Sequence, residues 1–580
     1  MIKRIVCFLL AMCLCAGLLT GCGSTEPAAA AGESVEAVSA QTEEAAPAAE
    51  EELVQAETAE SEPSAAEEGT SAAEEPTAPK EPEMEFETIL PAPDGTELSM
   101  WFIAEADGVL EDFNDNAVAK LVEEETNIHM NYNMISMFAG ETQFNLMVAS
   151  GDFPDIVDNF CQMYTAGGDT AIDQGLIIDM EPYMQYAPNY YKIINENEET
   201  MLTARTDSGA IAAFFTVGAD AMLGPRGGSF IRKDWLDDLG LEVPVTYEDY
   251  EDVLLKFRDA YNCSAAYELG SKGFPGNSCM VAGFETGESF LNKDGTVVYG
   301  PLEDGFEEYL TLMHHWYEEG LISRDFINNT SGMWYDATNV VTDQTGIWNT
   351  FYRADDSWVN NAQDPDFTPL AIADAVKAPG QILKTGGTSG AMGRYGMSVT
   401  TDCEDAAMAV AWIDSFYSED AAVRNSYGIE HETFEFNEDG QPIYTDLILN
   451  NPDGDARSMR FKYTIMFSAR MIRVVSTPED KKYDVEDRGT WQSNRTCEWD
   501  IPTTLEMSAE DGEEYARIMS DVKTYVEECI PAFISGTMDL SEFDTFRENV
   551  RGMDIEDAVA IYQDSLDRYN LRGQPQDGEE

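Results

Sequence analysis

From Leu98 onward the hydrophobic positions follow two alternating periods. Leu98 to Ala104 (LSMWFIA) is a near-continuous apolar run, which predicts a strand buried on both faces. Asn114 to Thr126 carries apolar residues at helical spacing (Val118, Leu121, Val122). Ile128 to Met134 then alternates, with Ile128, Met130, Tyr132 and Met134 on one face. Glu141 to Ser150 reads as a helix closed by Gly151, and Asp155 to Val157 opens a short strand. This β-α-β-α-β order predicts a parallel sheet whose ligand crevice lies at the carboxyl ends of the strands. Further helices are predicted near 247–259, 303–319, 404–418, 513–535 and 555–569. Two hairpins are predicted to turn on Asp294-Gly295 and Asp439-Gly440. No internal repeat of 20–50 residues is present, which excludes a solenoid or propeller.

The amino terminus has a different pattern. Lys3 and Arg4 precede a 15-residue apolar run, Ile5 to Leu19. A bilayer span needs about 20 apolar residues, so this run is the core of a secretory signal. Leu19-Thr20-Gly21-Cys22 follows and resembles the lipobox of bacterial lipoproteins, which implies cleavage before Cys22 and acylation of its thiol. Residues 1–21 are therefore expected to be a lipoprotein signal peptide. Residues 22–93 are expected to be an acidic Ala/Glu/Pro tether, because Ala, Glu, Pro, Ser and Thr cannot bury enough apolar surface to offset ordering entropy. The folded body is expected over 94–580, outside the cytoplasm on the outer face of the cell membrane.

Composition narrows the classes. The 580 residues carry 34 Lys+Arg against 110 Asp+Glu, a formal charge of −76. Residues 23–87 hold 19 Glu, no Asp and one base, a net −18, and residues 88–580 carry −60. Such a chain repels phosphate backbones and anionic lipid, so no nucleic-acid partner is expected.

Catalytic signatures are missing from the sequence. It has no G-x-S-x-G, no P-loop and no G-x-G-x-x-G; Gly387-Thr388-Ser389-Gly390 has the spacing of a turn. Four His, with only His314-His315 adjacent, give no zinc spacing, so neither a metal nor a cofactor is expected. The six Cys after Cys22 contain no C-x-x-C and are expected to be unpaired, buried thiols. Paired carboxylates for glycoside hydrolysis have no specificity among 110 acids.

The nine Trp are more informative. Trp235, Trp316 and Trp412 sit in helical patterns and read as core, whereas Trp334, Trp348, Trp358, Trp491 and Trp499 fall among Gly, Asn and Asp. Indoles stack on the C–H faces of sugar rings while polar neighbours satisfy the hydroxyls. The candidate ligand-binding residues are accordingly Trp348, Trp491 and Trp499 as stacking platforms. Glu105, Asn159, Arg394 and Asn494 are the polar partners, at strand ends or in loops.

Several phrases taken in order resemble extracellular solute-binding proteins of the maltose-binding type, in their large carbohydrate-uptake lipoprotein subgroup. They are Ala149-Ser150-Gly151-Asp152-Phe153-Pro154-Asp155-Ile156; Asp173-Gln174-Gly175-Leu176-Ile177 with Asp179, Pro182 and Ala187-Pro188-Asn189; Ile231-Arg232-Lys233-Asp234-Trp235-Leu236 continuing to Pro244 and Thr246; Trp316-Tyr317 with Glu319-Gly320-Leu321-Ile322 and Asp325; and Asp567-Arg568-Tyr569. The resemblance implies a two-lobed α/β fold of the periplasmic-binding-protein type II class, with a ligand cleft between lobes joined by a hinge. Carried onto this chain, lobe 1 is 94–215 with 393–500 and lobe 2 is 216–392 with 501–580. Gly386-Gly387 and Gly390 would then lie near a hinge crossing.

The resemblance further implies a monomeric ABC-importer component that captures a carbohydrate, in particular an oligosaccharide, and delivers it to a permease by cleft closure. A peptide- or amino-acid-binding lipoprotein, a surface-anchored glycoside hydrolase and a sensory accessory are the alternatives. One departure stands out. Where relatives carry a calcium-loop-like segment, this chain has only Asp259, Asn262 and Glu268 as oxygen ligands, too few for an ion that takes six to eight.

Overall fold

The computed structural model describes residues 84–104, 109–218, 225, 227–276, 279–329, 337–351, 355–387, 392–438, 440–454, 456–472, 474 and 486–572. They fall within one compact unit, Glu81–Glu580. Cys22 and Glu105 lie outside the described residues.

Among the described residues fourteen strands follow in chain order. The first ten are β1 (Thr96–Ala104), β2 (Ile128–Ser136), β3 (Ile156–Asp158), β4 (Phe214–Gly218), β5 (Gly227–Arg232), β6 (Ala265–Tyr267), β7 (Phe290–Lys293), β8 (Thr296–Tyr299), β9 (Thr345–Phe351) and β10 (Pro369–Ile372). The last four are β11 (Met392–Val399), β12 (Phe434–Phe436), β13 (Pro442–Tyr444) and β14 (Arg470–Met471). Six of them form one sheet in the order β14-β4-β11-β3-β1-β2, and four form a second in the order β10-β5-β9-β6. In the first sheet β1 runs parallel to β2 and β3, while β11 lies antiparallel between β3 and β4.

Met100, Trp101 and Phe102 on β1 are all buried, as the unbroken apolar run predicts for a strand covered on both faces. The helix expected from Asn114 begins later, at Ala117, because the Asn116 side chain caps the Val118 and Ala119 amides. Both predicted hairpins form. In β7–β8 the turn residues Asp294 and Gly295 have φ of 53° and 88°, as a tight two-residue turn requires.

Each sheet has its own core. Around the first pack Phe102, Phe113, Tyr190, Phe214, Trp412 and Phe467. Around the second pack Trp235, Phe257, Tyr267, Trp316, Ile530 and Phe533. The helix Ala509–Ser535 and the helix Ile555–Leu571 contribute to this second core.

Two of the phrases that carried the resemblance have structural causes. Arg232 closes β5 with no exposed side-chain area, and its guanidinium meets Asp234 (2.5 Å), Asp343 (2.6 Å) and Asp364 (3.2 Å) between the rings of Trp235 and Phe367. The Asp414 carboxylate accepts the Asn189 and Tyr190 backbone amides, which fixes the Ala187-Pro188-Asn189 turn.

Among the described elements three segments pass between the two cores: the chain between β4 and β5, the chain between β10 and β11, and the chain after β14. Two of them run side by side. The Leu383 amide donates to Asn494 O, and the Thr496 amide returns to Leu383 O at 2.7 Å. Gly387 N donates to Thr496 O, and Gly386 N to the Asp500 carboxylate. A Cβ on Gly387 would strike the Thr496 backbone, so this glycine serves close approach of the two segments, while one on Gly386 would strike the Cys279 Sγ of the 279–284 stretch. Arg495 and Asp374 lock the ribbon with a fully buried ion pair at 2.5 Å.

The departure noted after 259 also has a geometric form. The helix Tyr247–Tyr261 leaves only residues 262–264 before β6, and Glu268 accepts the Asn339 side-chain amide. The six cysteines among the described residues are unpaired; Cys497 is exposed, contrary to the expectation of buried thiols for the set.

Two predictions follow from this packing. Arg232→Met leaves three carboxylates without their cation and is expected to cost about 3 kcal/mol in urea unfolding; a loss below about 1 kcal/mol would show the cluster to be incidental. Burial pushes Asp158 up to about 7, and Asp414 and Asp500 up to about 6. The native state therefore binds protons that the unfolded chain has already released above about pH 4. Stability from these groups is full at low pH and falls as pH rises toward 7, so the melting temperature should be higher at pH 5.5 than at pH 8. A flat or inverted profile would contradict this.

Candidate functional site

β1, β2, β3 and β4 all end at the same edge of the six-stranded sheet, and the antiparallel β11 begins there. In open α/β sheets ligands bind beyond this edge. Asn159, directly after β3, adopts a left-handed φ of 64°. Its amide donates to Gly396 O at 2.7 Å, and its Oδ1 accepts from Ser468 Oγ at 3.4 Å. The neighbouring Asp158 is buried and accepts the Ser468 amide at 3.2 Å.

β11 departs from regular pairing at this edge. Gly396 stands opposite Phe215, and the next pair is Met392 with Val217. Thr216 alone on β4 therefore faces Gly393, Arg394 and Tyr395. A bulge of this kind re-aims side chains, and here it projects Arg394 and Tyr395 outward. Tyr395 is 40% exposed, and the Arg394 guanidinium carbon lies 5.4 Å from its ring centroid. No carboxylate pairs with Arg394 among the described residues, in a chain where acids outnumber bases three to one.

Arg394 faces a pocket of about 430 Å³. Gln162, Tyr164 and Thr165, from the helix Phe160–Met163 and the turn after it, line one side with Phe215. Residues 501–507 and Tyr562 line the other. One wall ends on Glu506, whose Oε1 accepts the Gly168 amide at 2.7 Å. Burial pushes the Glu506 carboxyl up to about 7, against the Gly168 hydrogen bond and Arg572, while Asp169 and Asp207 push the same way as burial. A Cβ on Gly168 would meet the Ala212 Cβ and Glu506 Oε1 at 2.7 and 2.8 Å, so only glycine fits beside this carboxylate. Cys161 also lines the pocket, but burial pushes its thiol up to about 12, which leaves it an inert wall. The arrangement offers hydrogen-bond donors, acceptors and aromatic faces in one concavity, the chemistry of a polyhydroxylated ligand.

The structure brings Asn159 and Arg394 to this edge and takes the tryptophans elsewhere. Trp348 lies in the middle of β9, stacked on Phe230 at 6.0 Å and 1% exposed. Trp491 is fully buried, its ring 5.4 Å from Phe230 and its Nε1 donating to Ser229 O at 3.1 Å. Their burial in the core of the four-stranded sheet leaves no ring face for a ligand and corrects their reading as platforms. Trp499 is half-buried, and the Lys293 and Lys384 ammoniums each lie 4.9 Å from its ring. Asn494 donates to Asp374 O at 2.9 Å and lines a separate groove with Val243, Val245 and Ile382. Tyr395 and Glu506 escaped sequence reasoning. Tyr395 had a signal, since Gly393-Arg394-Tyr395-Gly396 places a charged and an aromatic residue between two glycines.

No family model matches the sequence. The chain is similar to the fructooligosaccharide ABC transporter substrate-binding protein FusA of Streptococcus pneumoniae, at 24% identity over 503 residues, covering 79% of this chain and 88% of FusA. It is also similar to the lipoprotein LipO of Bacillus subtilis, at 24% identity over 364 residues, covering 60% of this chain and 67% of LipO. Among solved structures, an HMO-binding, ABC-transporter-associated solute-binding protein from Bifidobacterium longum infantis aligns with a TM-score of 0.68 and 18% identity, covering 82% of this chain and 99% of that one. With the fold matched along the folded body and the sequence similar to FusA over most of its length, the chain is a homologue of the substrate-binding protein FusA and shares the two-lobed α/β fold of solute-binding proteins.

Proposed function

We propose that the chain is the lipid-anchored, extracytoplasmic substrate-binding component of an ABC importer. It captures a neutral oligosaccharide between its lobes as a monomer and hands it to the permease. The observation that carries this reading is the β11 bulge, which presents Arg394, with no carboxylate partner among the described residues, beside an exposed Tyr395 at the carboxyl edge of the sheet. A guanidinium and a phenol ring match the hydroxyls and the apolar face of a sugar. The names of FusA and of the Bifidobacterium protein support an oligosaccharide ligand. The name of LipO and the Leu19-Thr20-Gly21-Cys22 segment support an anchor at Cys22.

A binding role is favoured over glycoside hydrolysis by the pocket's composition. Hydrolysis uses two carboxyl groups flanking the bond, whereas Glu506 is the single carboxylate among the described lining residues. Lobe 1 is drawn at 94–215 with 393–500, and lobe 2 at 216–392 with 501–580. Two observations refine this division: Trp491 packs against Phe230 and Trp348 of the four-stranded sheet, in a cluster separate from the second core, and the terminal helix reaches both lobes. Closure depends on the ligand binding the closed state better than the open one, since equal affinity for both shifts nothing.

Calorimetric titration with a panel of neutral oligosaccharides is expected to give submillimolar binding to at least one. Arg394→Gln should weaken that binding about tenfold, or about 1.4 kcal/mol, at an unchanged melting temperature. Heat with peptides and none with any glycan would contradict the reading. Cys22→Ser should move the chain from the membrane fraction to the medium, and retention on the membrane would exclude the anchor.

A further inference from the structure

The terminal helix Ile555–Leu571 makes two kinds of contact. Along most of its length it belongs to the second core, through Ile555, Ala558 and Leu566, and Gln563 ties it to the β7–β8 hairpin by hydrogen bonds to Val297 N and Gly295 O. Its last turn does something else. Arg568 and Arg572 both reach Asp207, in the turn between the helix Glu198–Ala204 and β4. The Arg568 Nε lies 2.7 Å from one Asp207 oxygen and the Arg572 Nε 2.8 Å from the other. Arg572 is almost wholly buried, and the Asp207 side chain is 15% exposed.

The Nη2 group of each guanidinium points at the pocket wall, while Arg568 Nη1 pairs with Asp564 one turn back on its own helix. Arg572 Nη2 donates to Thr504 O at 2.9 Å, and Arg568 Nη2 donates to Glu506 O at 2.8 Å. Arg572 Nη1 adds a bond to Leu202 O at 3.1 Å, and the Tyr569 hydroxyl lies 3.3 Å from the Thr203 hydroxyl. Thr504 and Glu506 line the 430 Å³ pocket, and Glu506 reaches Gly168 across it. Asp207 thus joins two planar forks across the lobes, and each fork holds one carbonyl of the same wall. An arginine suits this role because its five donors are fixed in one plane.

We propose that Asp207, acting through Arg568 and Arg572, is a positioning residue for the ligand pocket: it holds the 504–506 wall against the first lobe and so sets the geometry that a ligand meets. The proposal rests on the reading of this pocket as the ligand site. Apolar contacts keep the helix with the second core, while its link to the first lobe is ionic and directional. The last turn therefore carries the position of one lobe to the wall of the cleft.

The test uses the full chain without ligand, so it stands apart from whether any glycan binds. The Gly168 amide is the reporter, because its acceptor is the Glu506 carboxylate. Asp207→Asn keeps the size of the side chain and removes its charge. Its Gly168 amide should exchange hydrogen about tenfold faster, with protection of the Ile555–Leu566 half of the helix unchanged. Gln563→Ala, on the same helix but facing the hairpin, should leave Gly168 as in the parent. Arg568→Lys keeps a cation on Asp207 but loses the donor to Glu506 O, and carries the same expectation should Asp207→Asn not fold. Unchanged Gly168 exchange in these variants, or equal acceleration by Gln563→Ala, would overturn the proposal and leave the clamp a contributor to stability alone.

Discussion

The buried pair of Arg495 and Asp374 locks together two of the segments that pass between the cores. A protein that closes around a ligand needs two bodies that stay separate, so the connections between them must be ordered without fusing the bodies into one core. Here the two sheets keep separate apolar clusters, and the segments between them are paired through backbone hydrogen bonds, one close-fitting glycine and one desolvated ion pair. An ion pair with this burial adds little net stability against an apolar substitute, but it fixes one arrangement, because either charge alone would be costly to bury.

The pocket depends on that frame. The parallel strands deliver Asn159 to the carboxyl edge, the bulge in β11 turns Arg394 and Tyr395 out of the sheet, and the 501–507 segment brings Glu506 opposite. No one of these residues is unusual by itself. Their convergence follows from strand direction, since four strands ending at one edge leave their following residues there.

Much of the fold was legible because it rests on local periodicity. The apolar run of β1, the alternation of β2 and the Asp-Gly turns each record a local constraint. Arg394 was legible as a cation near the start of a strand. Trp348 and Trp491 were not, because polar sequence neighbours say nothing about which face a sheet covers. Asn349, beside Trp348, is itself buried in β9. Glu506 could not be singled out among 110 acids, since what distinguishes it is the Gly168 amide, 338 residues away in the chain. The position of the terminal arginines is equally non-local. Their phrase carried the resemblance, but what it holds became visible only when Asp207 was placed beside it.

The chain's charge takes its place in this picture. The −60 borne by residues 88–580 is spread over an acidic surface, against which a guanidinium with no carboxylate partner among the described residues stands out. The central claim is that an oligosaccharide closes the two lobes upon each other. X-ray scattering of the chain titrated with a binding oligosaccharide measures this directly. The account predicts a fall in radius of gyration that saturates at the calorimetric affinity, with the saccharide recovered intact. Binding at constant radius, or recovery of shortened saccharides, would contradict it.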